Sequence, residues 1–589
     1  MEENYERQVD RMGRKSAGIF YTPQFIVDYI LNQTLARHDV LSRPVPKVLD
    51  PACGTGNFLL AAYDLLWDKF NANLDVLRIR YADRQYTVRS GNTIQFLSGE
   101  QYWRQENLHY HIVSQCLHGA DIDADAVNIA KTRLTNKSVS PLALHDALNL
   151  LICDSLTKWE EITAAGPGDP FSGNPHASLA GFWRQKYDYI IGNPPYISFG
   201  LNRVGKMAPA QAEYLRVHYP HSAQYKLSYY ALFFERSITA LKPGGYLGFI
   251  TPDSYLLGRY YSKIREYILE TCEVRELTLV NSDVFPGALV GIPVITVLRK
   301  CGKEGCRPVA AVTVNKLSSS GLLSASHQYG QDYFEHQVYK RFRLFFHPCD
   351  KAIIDKIEQA PYMLGHIAKI RTGMRSLTTQ SDIKSKRQQG ETWRKGLVSS
   401  GQVLPFCVKY QGDWLDVNPA KLYKGGWDAA VMAGPKIFLR QTGDSLIATI
   451  DKSGFYHLNN IHSLAVTGTG VSLEYLVCIL NSTLMNYYYQ TVTLEKGRSM
   501  AQVDIEMLEK LPLIIDNSRT GELELMGERL TELASTDDPA IITEFNSLYN
   551  EMNKTVYEIY GLSETEIIHI EQGIHGGLFA RRRTRGRRS

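Results

Sequence analysis

The chain has 589 residues, a hydrophobic fraction of 44%, a charged fraction of 21% and a formal net charge of +4. These are the values of a globular protein, and the length predicts two or three domains rather than a single core. Such a mild positive charge does not by itself indicate a nucleic-acid-binding protein. No apolar run approaches the ~20 residues of a membrane-spanning helix, so we expect no membrane association.

The nine cysteines are scattered without a paired framework. This usage is typical of a reducing compartment, and it predicts a cytoplasmic protein. Cys301 and Cys306 lie close together, but no second Cys/His pair follows at the spacing of a zinc finger. We therefore expect no metal site.

The first predicted element is a helix over residues 24–38, where apolar side chains recur at helical spacing. Tyr21-Thr22-Pro23 comes directly before it. Thr22 is a candidate cap for this helix, with Pro23 in its first turn.

A short apolar strand then ends in Asp50, and a loop with Gly54 and Gly56 leads into an apolar helix. The loop has neither the third glycine of the dinucleotide fingerprint nor the Lys-Ser/Thr of a P-loop. An acid in front of the loop repels phosphates but suits an ammonium group or ribose hydroxyls. This pattern favours S-adenosylmethionine over ATP or NAD as the ligand.

Two further predicted strands end in acids, after an insertion over residues 70–115 that we expect to contain a helix near residues 108–117. Asp121 ends the second strand, where open α/β sheets hold ribose hydroxyls, and Ile122 beside it is suited to pack on adenine. Asp154 ends the third strand and is suited to accept from an adenine amino group. The alternative is that both acids only stabilise the starts of helices, as we expect for Asp123.

A fourth predicted strand, over residues 187–192, ends in Asn193-Pro194-Pro195-Tyr196. The two prolines fix the backbone, so the Asn193 side-chain oxygen and the Pro194 carbonyl become rigid acceptors for an exocyclic amino group. The Tyr196 ring offers a flat face on which a base can stack. The alternative is a plain Asn-Pro turn.

Three more strands are predicted at residues 246–252, 274–280 and 291–298. Phe285 lies in the loop between the last two. It is a candidate for a second wall against a base, and the alternative is a core side chain.

Together these motifs resemble the adenine-N6 DNA methyltransferases of restriction–modification systems, in the gamma class with a TaqI-like C-terminal specificity domain. The resemblance implies a doubly wound, Rossmann-like α/β methyltransferase domain that uses S-adenosylmethionine, followed by an α+β DNA target-recognition domain. On this basis we expect a catalytic domain over residues 1–300, a linker over 301–349, a target-recognition domain over 350–515, and a helical appendage with an Arg-rich tail over 516–589.

The resemblance also implies roles for individual residues. Asn193, Pro194, Pro195 and Tyr196 would be catalytic, with Tyr196 and Phe285 stacking on an adenine that is flipped out of the duplex. Two acceptors at the amino group would make its nitrogen more nucleophilic and stabilise the charge that develops on it. The expected cofactor-binding residues are Tyr21, Thr22, Pro23, Asp50, Ala52, Gly54, Gly56, Asp121, Ile122, Asp154 and Ser155.

The expected partners are double-stranded DNA and a cognate restriction endonuclease, and we expect a monomer. Reading bases directly requires Arg, Lys, Asn or Gln side chains, although each basic residue can instead contact phosphate or solvent. The candidates in the second half are Arg371, Arg375, Lys384, Arg440, Lys496 and Arg498. The tail at residues 581–588 is expected to add affinity that depends on salt and not on sequence, or else only solubility.

Two other functions remain open at this stage. One is methylation of RNA or of protein glutamine, because Asn-Pro-Pro-Tyr is shared with such enzymes. The other is a non-catalytic DNA-binding component of a defence complex.

Overall fold

The computed structural model describes residues 22–90, 93–138, 148–161, 179–199, 207–224, 227–281, 284, 291–302, 305–306, 311–423, 434–468, 470–496, 501–516, 518–536 and 538–574. The chain divides into two compact units, Met1–Phe346 and His347–Ser589.

A nine-stranded sheet forms the centre of the described part of the first unit. Its strands are numbered in chain order: β1 Val48–Asp50, β2 Leu117–Asp121, β3 Asn149–Ile152, β4 Tyr187–Gly192, β5 Leu241–Pro252, β6 Cys272–Val280, β7 Pro293–Lys300, β8 Ala311–Leu317 and β9 Leu323–Gly330. Their order across the sheet is β9-β8-β6-β7-β5-β4-β1-β2-β3.

The strands β3, β2, β1, β4 and β5 run parallel to one another, whereas β7 pairs antiparallel with β5. From β1, the chain first builds the sheet outward through β2 and β3, and it then returns to the other side of β1 with β4 and β5. This reversal makes the gap between β1 and β4 the switch point of the sheet, where open α/β sheets bind ligands. The doubly wound α/β fold expected from the sequence is confirmed.

The central strands are apolar because both faces of a parallel sheet are covered. All three residues of β1 are buried, as are Tyr187, Tyr189, Ile190 and Ile191 in β4. The helices of this unit are Gln24–Gln33, Asn57–Asn71, Leu74–Arg80, Gly99–Tyr102, Gln105–His111, Ala124–Thr135, Leu179–Arg184, Pro209–His218, Tyr229–Ala240, Ser254–Leu257, Ser262–Thr271 and Asp332–Glu335.

The first helix ends earlier than the sequence predicts. It stops at Gln33, and a 3-10 turn over Leu35–Arg37 follows. Thr34 donates its hydroxyl hydrogen to the Ile30 carbonyl at 2.7 Å. Such back-bonding satisfies a carbonyl near the helix end and competes with continued helix.

The described residues of the insertion over 70–115 form part of the first unit. It contains a hairpin of Gln85–Ser90 and Thr93–Ser98, and a helix over Gln105–His111 that continues as a π-helical turn to Cys116. Trp103 is fully buried, and the Tyr86 and Tyr102 rings stack with their centroids 4.0 Å apart. Tyr102 and Trp103 belong to the same buried apolar cluster as Val48 and Leu66, so the insertion packs onto the core of the unit.

The expectation of a linker over residues 301–349 is wrong. The segment is not a linker, because β8 pairs in parallel with β6 and β9 pairs with β8 at the edge of the sheet. Cys301 and Cys306 are joined in a disulfide, whereas the other seven cysteines are free.

The second unit is an α+β assembly with two four-stranded sheets in its described part. One runs in the order Ala368–Thr372, Ile461–Val466, Lys436–Arg440, Ala448–Asp451, and the other in the order Lys384–Ser385, Trp414–Asp416, Trp393–Leu397, Tyr456–His457. Short strand pairs are Val403–Leu404 with Cys407–Val408 and Tyr362–Met363 with Pro512–Leu513. The helices are Pro348–Ile357, Leu364–Ile367, Leu473–Asn481, Thr483–Thr493, Ile505–Glu509, Thr520–Leu533, Pro539–Ile559 and Glu564–Gly573.

Over the described residues of both units, no helix combines the length and the apolar character that crossing a bilayer requires.

Candidate active site

The switch point brings Asp50 and the Asn193 loop to the same edge of the sheet. Asp50 is the last residue of β1, and Gly192 is the last residue of the neighbouring strand β4. The contact between them is close, since a Cβ atom at Gly192 would lie 2.6 Å from Asp50 Oδ1. Only glycine therefore fits between the β1 acid and the Asn-Pro-Pro-Tyr segment.

Asp50 is held as a buried acid. Its side chain is 1% exposed, and its Oδ1 accepts a hydrogen bond from the Ala52 N–H at 3.1 Å. Burial raises the pKa of the Asp50 carboxyl to about 8, and the nearby charge of Asp121 acts in the same direction. The carboxyl is therefore poised to ionise when a positive group approaches it.

The glycine loop is fastened to the end of β2. The Gly54 N–H donates to Asp121 Oδ2 at 2.8 Å, while Asp121 Oδ1 accepts from the Asp123 N–H at 3.0 Å. Gly54 and Gly56 have φ values of +50° and +89°, which favour glycine. Arg133 donates to the Thr55 carbonyl at 3.0 Å. These bonds give the loop a fixed path from β1 into the helix Asn57–Asn71.

The end of β2 presents a polar and an apolar group side by side. Asp121 is half-buried, and the next residue, Ile122, is 73% exposed. An exposed isoleucine beside a fixed carboxylate suits a ligand in which an aromatic ring is joined to a group with hydroxyls. The ring can pack on the isoleucine, and the hydroxyls can donate to the carboxylate. Asp123 accepts from the Asp125 and Ala126 N–H groups, so the predicted cap of the helix Ala124–Thr135 is confirmed.

The third acid stabilises its own turn. Asp154 Oδ1 accepts from the Leu156 N–H at 2.9 Å. The Ser155 hydroxyl donates to the Pro51 carbonyl at 2.6 Å, which links this turn to the start of the glycine loop. Ala52 lies in that same loop and contributes its N–H to Asp50.

A buried cation that the sequence analysis missed supports the turn after β3. Arg236 Nε donates to the Ser155 carbonyl at 2.9 Å, and Nη2 donates to Glu160 Oε2 at 2.8 Å. The guanidinium also lies 4.2 Å from the ring centroid of Trp183. Arg236 lies among apolar residues of the helix Tyr229–Ala240. A charged residue in an apolar helix is seldom buried without a partner, so this sequence pattern could have indicated a buried ion pair.

Asn193 is oriented by Thr22. Its Nδ2 donates to Thr22 Oγ1 at 3.0 Å. The cap predicted for Thr22 is wrong, because the helix cap is Pro23, whose carbonyl accepts from the Ile26 N–H at 3.0 Å. The Thr22 hydroxyl instead accepts the hydrogen bond from Asn193 and fixes the orientation of that amide.

The rest of the tetrapeptide is packed into the unit. Pro194 is buried and Pro195 is half-buried. The Tyr196 ring is 8% exposed, and its hydroxyl donates to the Ile250 carbonyl in β5 at 3.4 Å. Burial raises the pKa of the Tyr196 phenol, so it remains protonated. Tyr196 is thus anchored to the strand next to β4.

The candidate DNA-binding residues of the second unit differ in their surroundings. Arg371, Arg375 and Lys384 are exposed. Arg440 donates from Nε to the Val403 carbonyl at 2.6 Å, and Lys496 donates to the Gly573 carbonyl. Tyr21, Phe285, Arg498 and the tail at 581–588 lie outside the described residues.

Comparison with known families places two domains on the chain. Residues 115–285 match the Eco57I restriction-modification methylase family, and residues 398–513 match the TaqI-like C-terminal specificity domain. Two segments of the chain are thus similar to an Eco57I-type methylase domain and to a TaqI-like specificity domain. The resemblance to restriction–modification methyltransferases of this group is confirmed.

Curated proteins that are similar to parts of the chain are also named as type II restriction–modification methyltransferases. The chain is 26% identical over 289 residues to the type II restriction enzyme and methyltransferase RM.Eco57I of Escherichia coli, covering 45% of this chain and 25% of that protein. It is 31% identical over 144 residues to the type II methyltransferase M.PaeR7I of Pseudomonas aeruginosa, covering 24% of each. The chain thus spans about a quarter of the length of these relatives.

A solved structure supports the fold over most of the chain. The type IIL restriction-modification enzyme MmeI, in complex with DNA, superposes with a TM-score of 0.57 at 14% identity. The match covers 95% of this chain and 79% of that one.

Proposed function

We propose that the chain is a site-specific DNA methyltransferase that transfers a methyl group from S-adenosylmethionine to N6 of an adenine flipped out of duplex DNA. The observation that carries this proposal is the pairing of two features at the switch point. The buried carboxyl of Asp50 abuts the strand end that carries Asn193-Pro194-Pro195-Tyr196, and Thr22 orients the Asn193 amide.

The residues at the ends of β1 and β2 fit S-adenosylmethionine. A Cβ at Gly54 would have no atom within 4 Å, so the loop backbone is open to a ligand there. The Asp50 carboxyl would hold the ammonium end, Asp121 the ribose hydroxyls, and the exposed Ile122 one face of the adenine. We assign supporting positions to Thr22, Pro23, Ala52, Gly56, Asp154 and Ser155, which form or fasten the same loops. When bound, S-adenosylmethionine supplies an electrophilic methyl group.

The Asn193 amide performs the activating step in this proposal. Because Nδ2 donates to Thr22, Oδ1 is the amide atom assigned to the exocyclic amino group of the target. Oδ1 and the Pro194 carbonyl together accept hydrogen bonds from its two N–H groups. When the methyl group is transferred, one of these protons leaves past the acceptors to water. This draws the nitrogen lone pair out of the aromatic ring and stabilises positive charge on the nitrogen. Proximity to the methyl donor provides much of the remaining acceleration.

We infer that the second unit reads the DNA sequence. The match of residues 398–513 to a specificity domain supports this inference, and the exposed Arg371, Arg375 and Lys384 are its candidate contacts. The target base must leave the stack because N6 is out of reach inside a duplex. We propose duplex DNA as the substrate, a cognate restriction endonuclease as the functional partner, a monomeric state and a cytoplasmic location.

The test is a transfer assay with purified protein and S-adenosylmethionine that carries a labelled methyl group. Duplex DNA, RNA and a protein extract are offered separately, and labelled nucleosides are identified after digestion. We expect label in N6-methyladenine from duplex DNA, none with Asn193→Ala, and full activity with Asn128→Ala, an exposed helical asparagine. Label in RNA or in protein glutamine, but not in DNA, would contradict the proposal.

A further inference from the structure

Three metal-ligating side chains converge in the second unit. His347 and Cys349 stand at the start of the helix Pro348–Ile357, and His569 lies in the helix Glu564–Gly573. One ligand atom from each lies within 4.8 Å of the other two. The His347 and His569 rings stack with their centroids 4.8 Å apart.

The histidine from the second helix is held in place by a carboxylate. His569 Nε2 lies 2.7 Å from Asp350 Oδ1, which also accepts from the Tyr487 hydroxyl at 2.5 Å. With Nε2 directed at Asp350, Nδ1 is the ring nitrogen left for a metal. Metal-binding histidines are commonly oriented in this way, with the second nitrogen donating to a carboxylate.

The chemistry of the donors selects the metal. Cys349 is a free, half-buried thiol, and the other two donors are imidazoles. Calcium and magnesium prefer oxygen ligands, whereas zinc binds thiolate and imidazole in tetrahedral sites. We propose that His347, Cys349 and His569 bind a zinc ion, that Asp350 orients His569, and that water fills the fourth position.

The proposed zinc site joins two helices that are far apart in sequence. Asp350 and His569 are separated by 219 residues. The same helices are already linked by an ion pair between Lys356 and Glu566, at 2.7 Å. Together with the Asp350–His569 contact, this ion pair gives the two helices two links. A zinc ion would add a third and stabilise the folded second unit to a degree set by its affinity. The sequence analysis considered only Cys301 and Cys306 as metal ligands. It could not find the proposed zinc site, because His569 is far in sequence from His347 and Cys349.

Metal content is the direct test. The full chain is prepared without a histidine tag, incubated with zinc sulfate, dialysed, and analysed by mass spectrometry for metals. We expect about one zinc ion per chain in the wild type and in Cys407→Ser, which removes another half-buried free thiol of the same unit. Cys349→Ser and His569→Gln should lose the zinc. No zinc in the wild type, or equal zinc in Cys349→Ser, would overturn the proposal.

Two further measurements separate zinc binding from a folding defect. Asp350→Asn should weaken zinc affinity by about 10–100-fold, because the partner that orients His569 is weakened. Cobalt in place of zinc should give a thiolate-to-metal charge-transfer band in the wild type and in Cys407→Ser, but not in Cys349→Ser. If Cys349→Ser melts at the wild-type temperature without metal and still shows that band, the thiolate assignment is wrong.

Discussion

The Asn193 side chain donates a hydrogen bond from Nδ2 to the Thr22 hydroxyl at 3.0 Å, across 171 residues of sequence. This bond joins the segment before the first helix to the end of β4. In the proposed reaction this bond would set which amide atom faces the substrate, and Thr22 would act as a positioning residue.

Replacing Thr22 by valine should therefore slow turnover while leaving the fold intact. Loss of one hydrogen bond of ~1 kcal/mol predicts a fall in kcat of roughly fivefold. Thr22→Ser keeps the hydroxyl and should restore most of the rate. Steady-state kinetics and S-adenosylmethionine binding are measured for both variants. Weaker cofactor binding in Thr22→Val at unchanged kcat would mean that the hydroxyl serves the cofactor instead.

Adding a single methyl group at Gly192 should disrupt the switch point. The Cβ of Gly192→Ala would lie 2.6 Å from Asp50 Oδ1, and Asp50 is buried and unable to swing away. Such overpacking costs about 1–3 kcal/mol. We expect a lower melting temperature and loss of S-adenosylmethionine binding by calorimetry.

The matched control for Gly192 is Gly443→Ala. Gly443 also has a positive φ, of +131°, but a Cβ there would meet no atom within 4 Å. This variant carries backbone strain without the clash, so it should bind S-adenosylmethionine normally. If both variants bind normally, the packing of Gly192 against Asp50 is not needed for cofactor binding.

The stability of the ligand-free protein should depend on pH through Asp50. Burial raises the pKa of the Asp50 carboxyl from its ordinary value of 3.8 to about 8. Between these values the folded state binds more protons than the unfolded state, so this contribution to stability falls as pH rises. Relative to Asp50→Asn, which cannot ionise, the wild type should lose unfolding free energy from pH 5 to pH 8.

Chemical denaturation at several pH values measures this difference. Asp125→Asn, an exposed acid of the helix Ala124–Thr135, is the control and should follow the wild type. A constant difference between the wild type and Asp50→Asn across this range would show that Asp50 ionises normally.

The buried ion pair between Arg236 and Glu160, next to the Asp154 turn, should contribute more to the free energy of unfolding than a surface pair does. Arg236 is 1% exposed and donates to both Glu160 and the Ser155 carbonyl. Glu160→Gln leaves the guanidinium buried without its counter-charge, which predicts a loss of roughly 3 kcal/mol. Because the same turn carries Asp154, the KM for S-adenosylmethionine should rise.

Glu544→Gln is the control for the ion pair. Glu544 pairs with Arg529 at 2.7 Å, and both side chains are exposed, so solvent screens the pair and the loss of stability should be much smaller than in Glu160→Gln. Equal losses in the two variants, measured by urea denaturation, would contradict the assigned role of Arg236.

The strands that carry the candidate site were predictable because their signals are local. A buried apolar run that ends in Asp50, Asp121 or Asn193 is visible within ten residues, and the cap at Asp123 follows the same rule. The sheet then brings these ends together, because parallel strands share one carboxyl edge.

The contacts that complete the site are distant in sequence and were not predictable. Thr22 reads as a helix cap in isolation, and its real partner, Asn193, is 171 residues away. The strand β9 was missed for a different reason. It lies at the sheet edge with mostly exposed or half-buried residues, so it lacks the apolar alternation of a half-buried strand.

The most direct measurement is single-molecule sequencing of DNA from a host that lacks its own N6-adenine methylation. The host expresses the wild type or Asn193→Ala. We predict one sequence motif with N6-methyladenine in the wild-type host and none in the variant host, with both proteins binding duplex DNA equally. Methylation of the same motif by Asn193→Ala, or methylation of a base other than adenine, would contradict the proposed function.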